Sequence, residues 1–267
     1  MNISIVYNSS KDKDGRILND LTTAFDGKAK LKIFTEKITS SDIELSDMVV
    51  AMGGDGTIIR ALKASSNHSI PVCGINLGRI GFLAAFEPNE VKKAAQHILS
   101  GNYIIEERMM MEAIIESNGE KKVVDALNDV TVSRGRCHKM IDILLKADGE
   151  KLDEFRADGV IVSTPTGSTA YSLSAGGPIV DPVMEVFLVT PVCAYDLHTR
   201  SMVLMADNTL AISTKGKYPS YVEIDGAEVA QIGTGDRISI RRSEKKGRLV
   251  KLDEKSFLSV VRKKFSI

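Results

Sequence analysis

An α/β domain followed by a β-rich one is what this sequence predicts, from three observations. Short apolar runs alternate with longer amphipathic ones over the first hundred residues. From Tyr103 the texture changes to β-branched and apolar runs separated by Gly, Asn and Asp. The 267 residues suffice to bury one large core or two modest ones without disulfides or structural metal.

Taken in order, residues 3–7 read as a strand, 17–25 as an amphipathic helix, 31–34 and 48–52 as strands, and 58–64 as a helix. Residues 72–75 form a further strand that leads into the loop NLGRIGF. Residues 88–99 form a helix that opens on proline, whose missing N–H is no loss in a first turn. Strand and helix in turn imply a parallel sheet covered by helices, ending near Gly101. Beyond it, residues 110–116, 123–133, 140–146, 160–163, 202–205, 210–214, 221–224 and 237–241 read as β runs, with turn signals at Asp225-Gly226 and Gly233-Thr234-Gly235.

Composition excludes several function classes. Lys plus Arg and Asp plus Glu each number 35, so no net field attracts a polyanion, and nucleic acid is not an expected partner. Cys73, Cys137 and Cys193 are odd in number and far apart, which leaves neither a disulfide framework nor a Cys-x-x-Cys site and fits a reducing compartment. His68, His97, His138 and His198 lack the i, i+4 spacing of a helix-borne metal site. No apolar run approaches the roughly 18 residues of a membrane span, and the start of the chain is too brief for a signal peptide. The expectation is a cytoplasmic protein with neither membrane nor nucleic-acid partner.

Chemistry concentrates in three blocks. The first strand-to-helix junction of interest is Gly53-Gly54-Asp55-Gly56-Thr57, where backbone N–H groups and the helix dipole welcome phosphate and glycines permit close approach. It lacks both the Lys-Ser/Thr of a P-loop and G-x-G-x-x-G spacing. Asp55 suits a hydroxyl better than a phosphate: phosphoryl transfer to an alcohol uses such a carboxylate to orient the nucleophile and take its proton. A helix cap is the alternative role. The second block, VIVSTPTGSTAYSLSAGGP, stops a strand near Pro165. It then offers the amides and hydroxyls of Thr166 to Thr169 before a helix start at Ala170-Tyr171-Ser172-Leu173. In the third, Asn128-Asp129 interrupts an apolar β run, which taken singly is more often a bulge or turn.

These blocks, in this order, resemble the NAD kinase family, and the resemblance extends over NLGRIGFL and Asp225-Gly226. It implies a Rossmann-like α/β domain at residues 1–102 and a β-sandwich-like, NAD-binding domain at 103–247. The NAD site would lie between them, and residues 248–267 would return to the first. It also implies transfer of a phosphoryl group from ATP, or from polyphosphate or another donor, to the adenosine ribose 2′-hydroxyl of NAD. A divalent metal, Mg or Mn, would be carried on the donor phosphates rather than by protein ligands, and the enzyme would be a homotetramer.

By the same resemblance Asp55 is the proton acceptor with Gly56 beside it, and Gly53, Gly54, Gly56 and Thr57 form the phosphate loop. Asn128 and Asp129 hold ribose hydroxyls, while Thr169, Ala170, Tyr171, Ser172, Leu173 and Ser174 line the NAD site. Phe82 packs near adenine. Asp158 and Arg156 reach the site from the same subunit or a neighbouring one. Cys193 joins it on weaker grounds, because the segment TPVCAYDLHTRSMVL departs from a Pro-His-Ser-Leu-like family pattern. A lipid or sugar kinase would share GGDGT but would not need the other two blocks, and a non-catalytic module would not need Asp55.

Overall fold

Strands with both faces covered carry continuous apolar runs, and this is how the first sheet is built. The computed structural model describes residues 1–35, 38–78, 81–252 and 256–265; Arg79 and Ile80 of the NLGRIGF loop and residues 253–255 and 266–267 of the returning segment lie outside the described residues. The chain divides into two units, Met1–Arg108 with Lys245–Ile267, and Met109–Glu244.

The first unit opens with β1 (Asn2–Tyr7), α1 (Arg16–Phe25), β2 (Lys30–Thr35), α2 (Ser40–Ile43), β3 (Met48–Gly53), α3 (Asp55–Ser66), β4 (Val72–Asn76) and α4 (Val91–Ser100), with a 3-10 turn at Pro88–Glu90 before α4. The strands are parallel, in the order β2-β1-β3-β4. β3 (MVVAMG) and β4 (VCGIN) are buried along their whole length. β2 (KLKIFT), at the edge, alternates lysine with apolar residues, a composition that discourages pairing with other chains. Helices α1 and α4 pack Leu21, Phe25, Ala94 and Ile98 against Ile3, Ile5, Met48 and Cys73. Burial pushes the Cys73 thiol up to about 12.

The second unit is built from β5 (Ile104–Ser117), β6 (Glu120–Ala126), β7 (Asp129–Ser133), β8 (Ile141–Ala147), β9 (Glu150–Ala157), β10 (Gly159–Ser163), α5 (Tyr171–Ser174), β11 (Val186–Val192), β12 (Met202–Met205), β13 (Leu210–Lys215), β14 (Ser220–Ile224), β15 (Ala227–Ile232) and β16 (Arg237–Lys251). One antiparallel sheet runs β12-β11-β10-β7-β14-β15. The other joins β13 to β16 and β8, β8 to β9, and β5 to β6. Val130, Val132, Val160, Val162 and Phe187 of the first sheet share one core with Ile143, Leu145, Phe155, Ile212 and Ile240 of the second. The chain then returns: Leu249 of β16 pairs in parallel with Val72 of β4, Val250 and Leu252 join the first unit's core, and α6 (Phe257–Phe265) follows. Among the described residues no helix is long and apolar enough to cross a membrane.

The α/β and β-rich organisation is the one the sequence predicts. The run 123–133 differs, because it divides into β6 and β7, which belong to different sheets. The sequence pattern does not announce α2, β9, β11, β15 or α6, and β16 runs ten residues past the predicted 241.

Candidate active site

The GGDGT block lies where a buried strand hands over to a helix. Gly54 is the N-cap of α3, with φ −92° and ψ −178°, and supplies no capping side chain. The first amides of a helix have no intrahelical acceptor, so those of Asp55 and Gly56 stay open to a ligand. Thr57 stands behind them, its N–H donating to Gly54 O at 2.9 Å. Its side chain is 3% exposed, and its hydroxyl accepts from Arg60 Nη2 at 3.4 Å. Arg60 is an exposed cation one turn into α3.

Asp55 does not cap its own helix. Its Oδ2 accepts the N–H of Phe82 at 3.0 Å and its Oδ1 that of Leu83 at 3.4 Å, so the carboxylate is oriented by the segment after β4. Gly81 makes this possible, since a Cβ there would overlap the carboxylate. Lys251, buried at the end of β16, donates to the carbonyl of the same Phe82 at 3.3 Å. The Phe82 ring is 7% exposed. It stands 6.1 and 6.3 Å from the rings of Phe257 and Phe265, with Lys264 Nζ 4.1 Å from its centroid. α6 thus stands against this ring.

In the second unit, Asn128 and Asp129 occupy the crossing from β6 to β7. The carboxylate of Asp225 accepts the N–H groups of Leu127, Asn128 and Asp129 at 3.2, 2.7 and 3.2 Å. On the other side Thr164 donates its N–H to Asn128 O at 2.8 Å and its hydroxyl to Leu127 O at 2.6 Å. The main chain is braced twice, while the Asn128 side chain makes no hydrogen bond among the described residues. Asp129 is buried, 6% exposed.

The block after β10 folds as a 3-10 turn, Thr166–Thr169, followed by the short α5. Ser168 Oγ takes the N–H of Val180 at 3.2 Å, and Ser172 Oγ bonds Thr190 Oγ1 at 2.9 Å with no exposure. Ser172 is therefore part of the packing. Thr169, Ala170 and Leu173 are half-buried, while Tyr171 and Ser174 are exposed. Tyr171 shares a cleft of about 510 Å³ with Asp158, Arg134, Tyr221 and Glu228. Asp158 is bound there by Arg134 Nε at 2.6 Å. Arg156 is separated from it. It pairs with Asp142 at 2.9 Å and lines a different cleft with Tyr195 and Asp196. Cys193 is exposed just after β11, with φ +48°.

The chain matches the family model of the ATP-NAD kinase N-terminal domain over residues 6–103 and that of the ATP-NAD kinase C-terminal domain over residues 127–252. It is 40% identical over 231 residues to an NAD kinase of Natranaerobius thermophilus, covering 85% of this chain and 81% of that one. It is 33% identical over 276 residues to an NAD kinase of Ruminiclostridium cellulolyticum, covering 98% and 96%. Among solved structures, a yeast NADH kinase complexed with NADH superposes with a TM-score of 0.87 at 26% identity, covering 100% of this chain and 88% of that one. An NAD kinase from Archaeoglobus fulgidus in complex with ATP gives 0.81 at 28% identity, covering 100% of both. Through both its α/β and its β-rich parts, the chain belongs to the NAD kinase family.

Proposed function

We propose that the chain phosphorylates the adenosine ribose 2′-hydroxyl of NAD, giving NADP, with ATP or another phosphoryl donor. The observation that carries this is the Asp55 carboxylate, held beside the open amides at the head of α3 by two N–H groups from residues 82 and 83. Each carboxylate oxygen has two acceptor directions, so one on each remains for a hydroxyl. Asp55 orients the 2′-oxygen and takes its proton as the bond to phosphorus forms, while the open amides of the Gly53 to Thr57 loop, at Asp55 and Gly56, receive donor phosphate.

In this reading the α/β unit handles the phosphoryl group and the β-rich unit binds NAD. Asn128 and Asp129 hold ribose hydroxyls; Thr169, Ala170, Tyr171 and Ser174 line the dinucleotide, with Leu173 behind them and Ser172 fixing the turn. Asp158 belongs to the NAD cleft. Arg156 lines a different cleft, and it, Cys193 and Phe82 are NAD contacts on the family resemblance alone. Mg²⁺ or Mn²⁺ enters in this reading as part of the donor substrate, where it spreads phosphate charge. A cytoplasmic location is part of the proposal, supported by three unpaired cysteines; cell fractionation that put the protein elsewhere would remove it. So is a homotetramer.

The test is Asp55→Asn, which keeps shape and removes the base. Turnover of NAD with Mg-ATP should fall by at least about 100-fold, with NAD affinity reduced much less and melting temperature nearly unchanged. The same assay of the unaltered protein in EDTA should give no NADP. Wild-type turnover in Asp55→Asn would return this aspartate to a purely structural role.

A further inference from the structure

The loop after β1 places a lysine over the phosphate loop, and nothing in the reaction as described uses it. Its backbone is held on both sides. Asn8 donates its N–H to Met52 O at 2.9 Å, tying the turn to the end of β3, and Lys11 donates its own N–H to Asn8 O at 3.1 Å. Asp12, 5% exposed, accepts the N–H groups of Ile17 and Leu18 at 3.2 and 2.9 Å and so anchors the start of α1. Between these anchors the Lys11 side chain reaches across the crest of the sheet. A Cβ on Gly54 would stand 2.8 Å from its Nζ, and one on Gly78 2.7 Å, so the ammonium rests over glycines of two different loops.

The ammonium makes no hydrogen bond or ion pair among the described residues. Lys11 is exposed, and its ammonium gains nothing from the positive end of the α3 dipole. A bound anion reverses that balance. The strand order β2-β1-β3-β4 supplies an independent pointer: the chain winds one way from β1 and the other from β3. The crevice at the strand ends there is where open α/β sheets take ligands. Lys11 and Gly54 stand on its two sides.

We infer that Lys11 is a donor-binding residue, its ammonium holding the phosphate oxygens of the phosphoryl donor, and that a lysine from outside the GGDGT loop takes the part a P-loop lysine plays. This rests on the NAD-phosphorylating reading. In the transfer, the ribose 2′-oxygen bonds to the terminal phosphorus, the bond from that phosphorus to the bridging oxygen breaks, and the proton passes to Asp55. Lys11 offsets the charge left on the departing diphosphate.

Full-length Lys11→Ala and Lys11→Arg separate this role from others. For Lys11→Ala, kcat/KM for Mg-ATP and binding of a non-hydrolysable ATP analogue, by calorimetry without NAD, should each weaken about 10- to 100-fold. NAD affinity and melting temperature should hold, and Lys11→Arg should recover most of the loss. Unchanged analogue binding in Lys11→Ala, or an equal loss of NAD affinity, would overturn the assignment. Should the wild-type protein form no NADP while Lys11→Ala still weakens analogue binding, the functional reading falls and the Lys11 assignment stands.

Discussion

Asp55 owes its orientation to a residue without a side chain. Gly81 lets the segment 81–83 close on the carboxylate, and Lys251 holds the other side of Phe82. Gly81→Ala should therefore displace the carboxylate by an ångström or so while disturbing little else. Because catalytic geometry is steep in distance, we expect turnover to drop about 100-fold, with NAD binding retained. Steady-state kinetics beside an NAD titration check this, and a wild-type rate would mean that Asp55 needs no such clamp. Lys251 is the less expected partner, since a lysine this deeply buried requires compensating contacts, and one of them is the Phe82 carbonyl.

Among elements, the crossing between β6 and β7 has the clearest dependence on a distant group. Asp225, from the turn after β14, accepts all three amides of Leu127, Asn128 and Asp129. Asp225→Ala leaves those donors without their acceptor, which should destabilise the protein by about 1–3 kcal/mol. It should also weaken NAD binding by releasing Asn128. Denaturant titration and NAD calorimetry read the two effects, and unaltered NAD affinity would detach this turn from the binding role. What the sequence reveals follows the same physics. β3 and β4 are legible because burial on both faces demands continuous apolar residues, and the GGDGT junction because a strand runs straight into a helix through glycine. β9 (EKLDEFRA) hides because charged residues fill its exposed face and only pairing with β8 makes it a strand. The polar break at Asn128 is visible in sequence, but the brace that shapes it lies 97 residues away. Lys11 and Lys251 are single lysines, with no local pattern to distinguish them from solvated ones.

On the scale of the whole molecule, the edge strand β12 presents Val203 and Met205 at 49% and 63% exposure. Val183 and Met184 adjoin them, because Glu185 O receives the N–H of Ala206 at 3.2 Å. An edge that is unpaired among the described residues and bears apolar side chains favours association, which is the support for the proposed homotetramer. Light scattering at micromolar concentration should return four chain masses, and a single chain mass would exclude that assembly. The return of β16 and α6 to the first unit has a further consequence, for how the protein comes into being. A ribosome adds residues at about 5–20 per second from the N-terminus, so N-terminal domains commonly fold while the rest is still being made. Here the sheet of the first unit lacks Leu249, Val250 and Leu252 until all of the second unit has emerged. The earlier-made half must stay open to its completing strand throughout that interval. A polypeptide released early carries Asp55 but not the Lys251 that steadies its clamp, so translation has to run nearly to the end of this sequence before the enzyme can switch on.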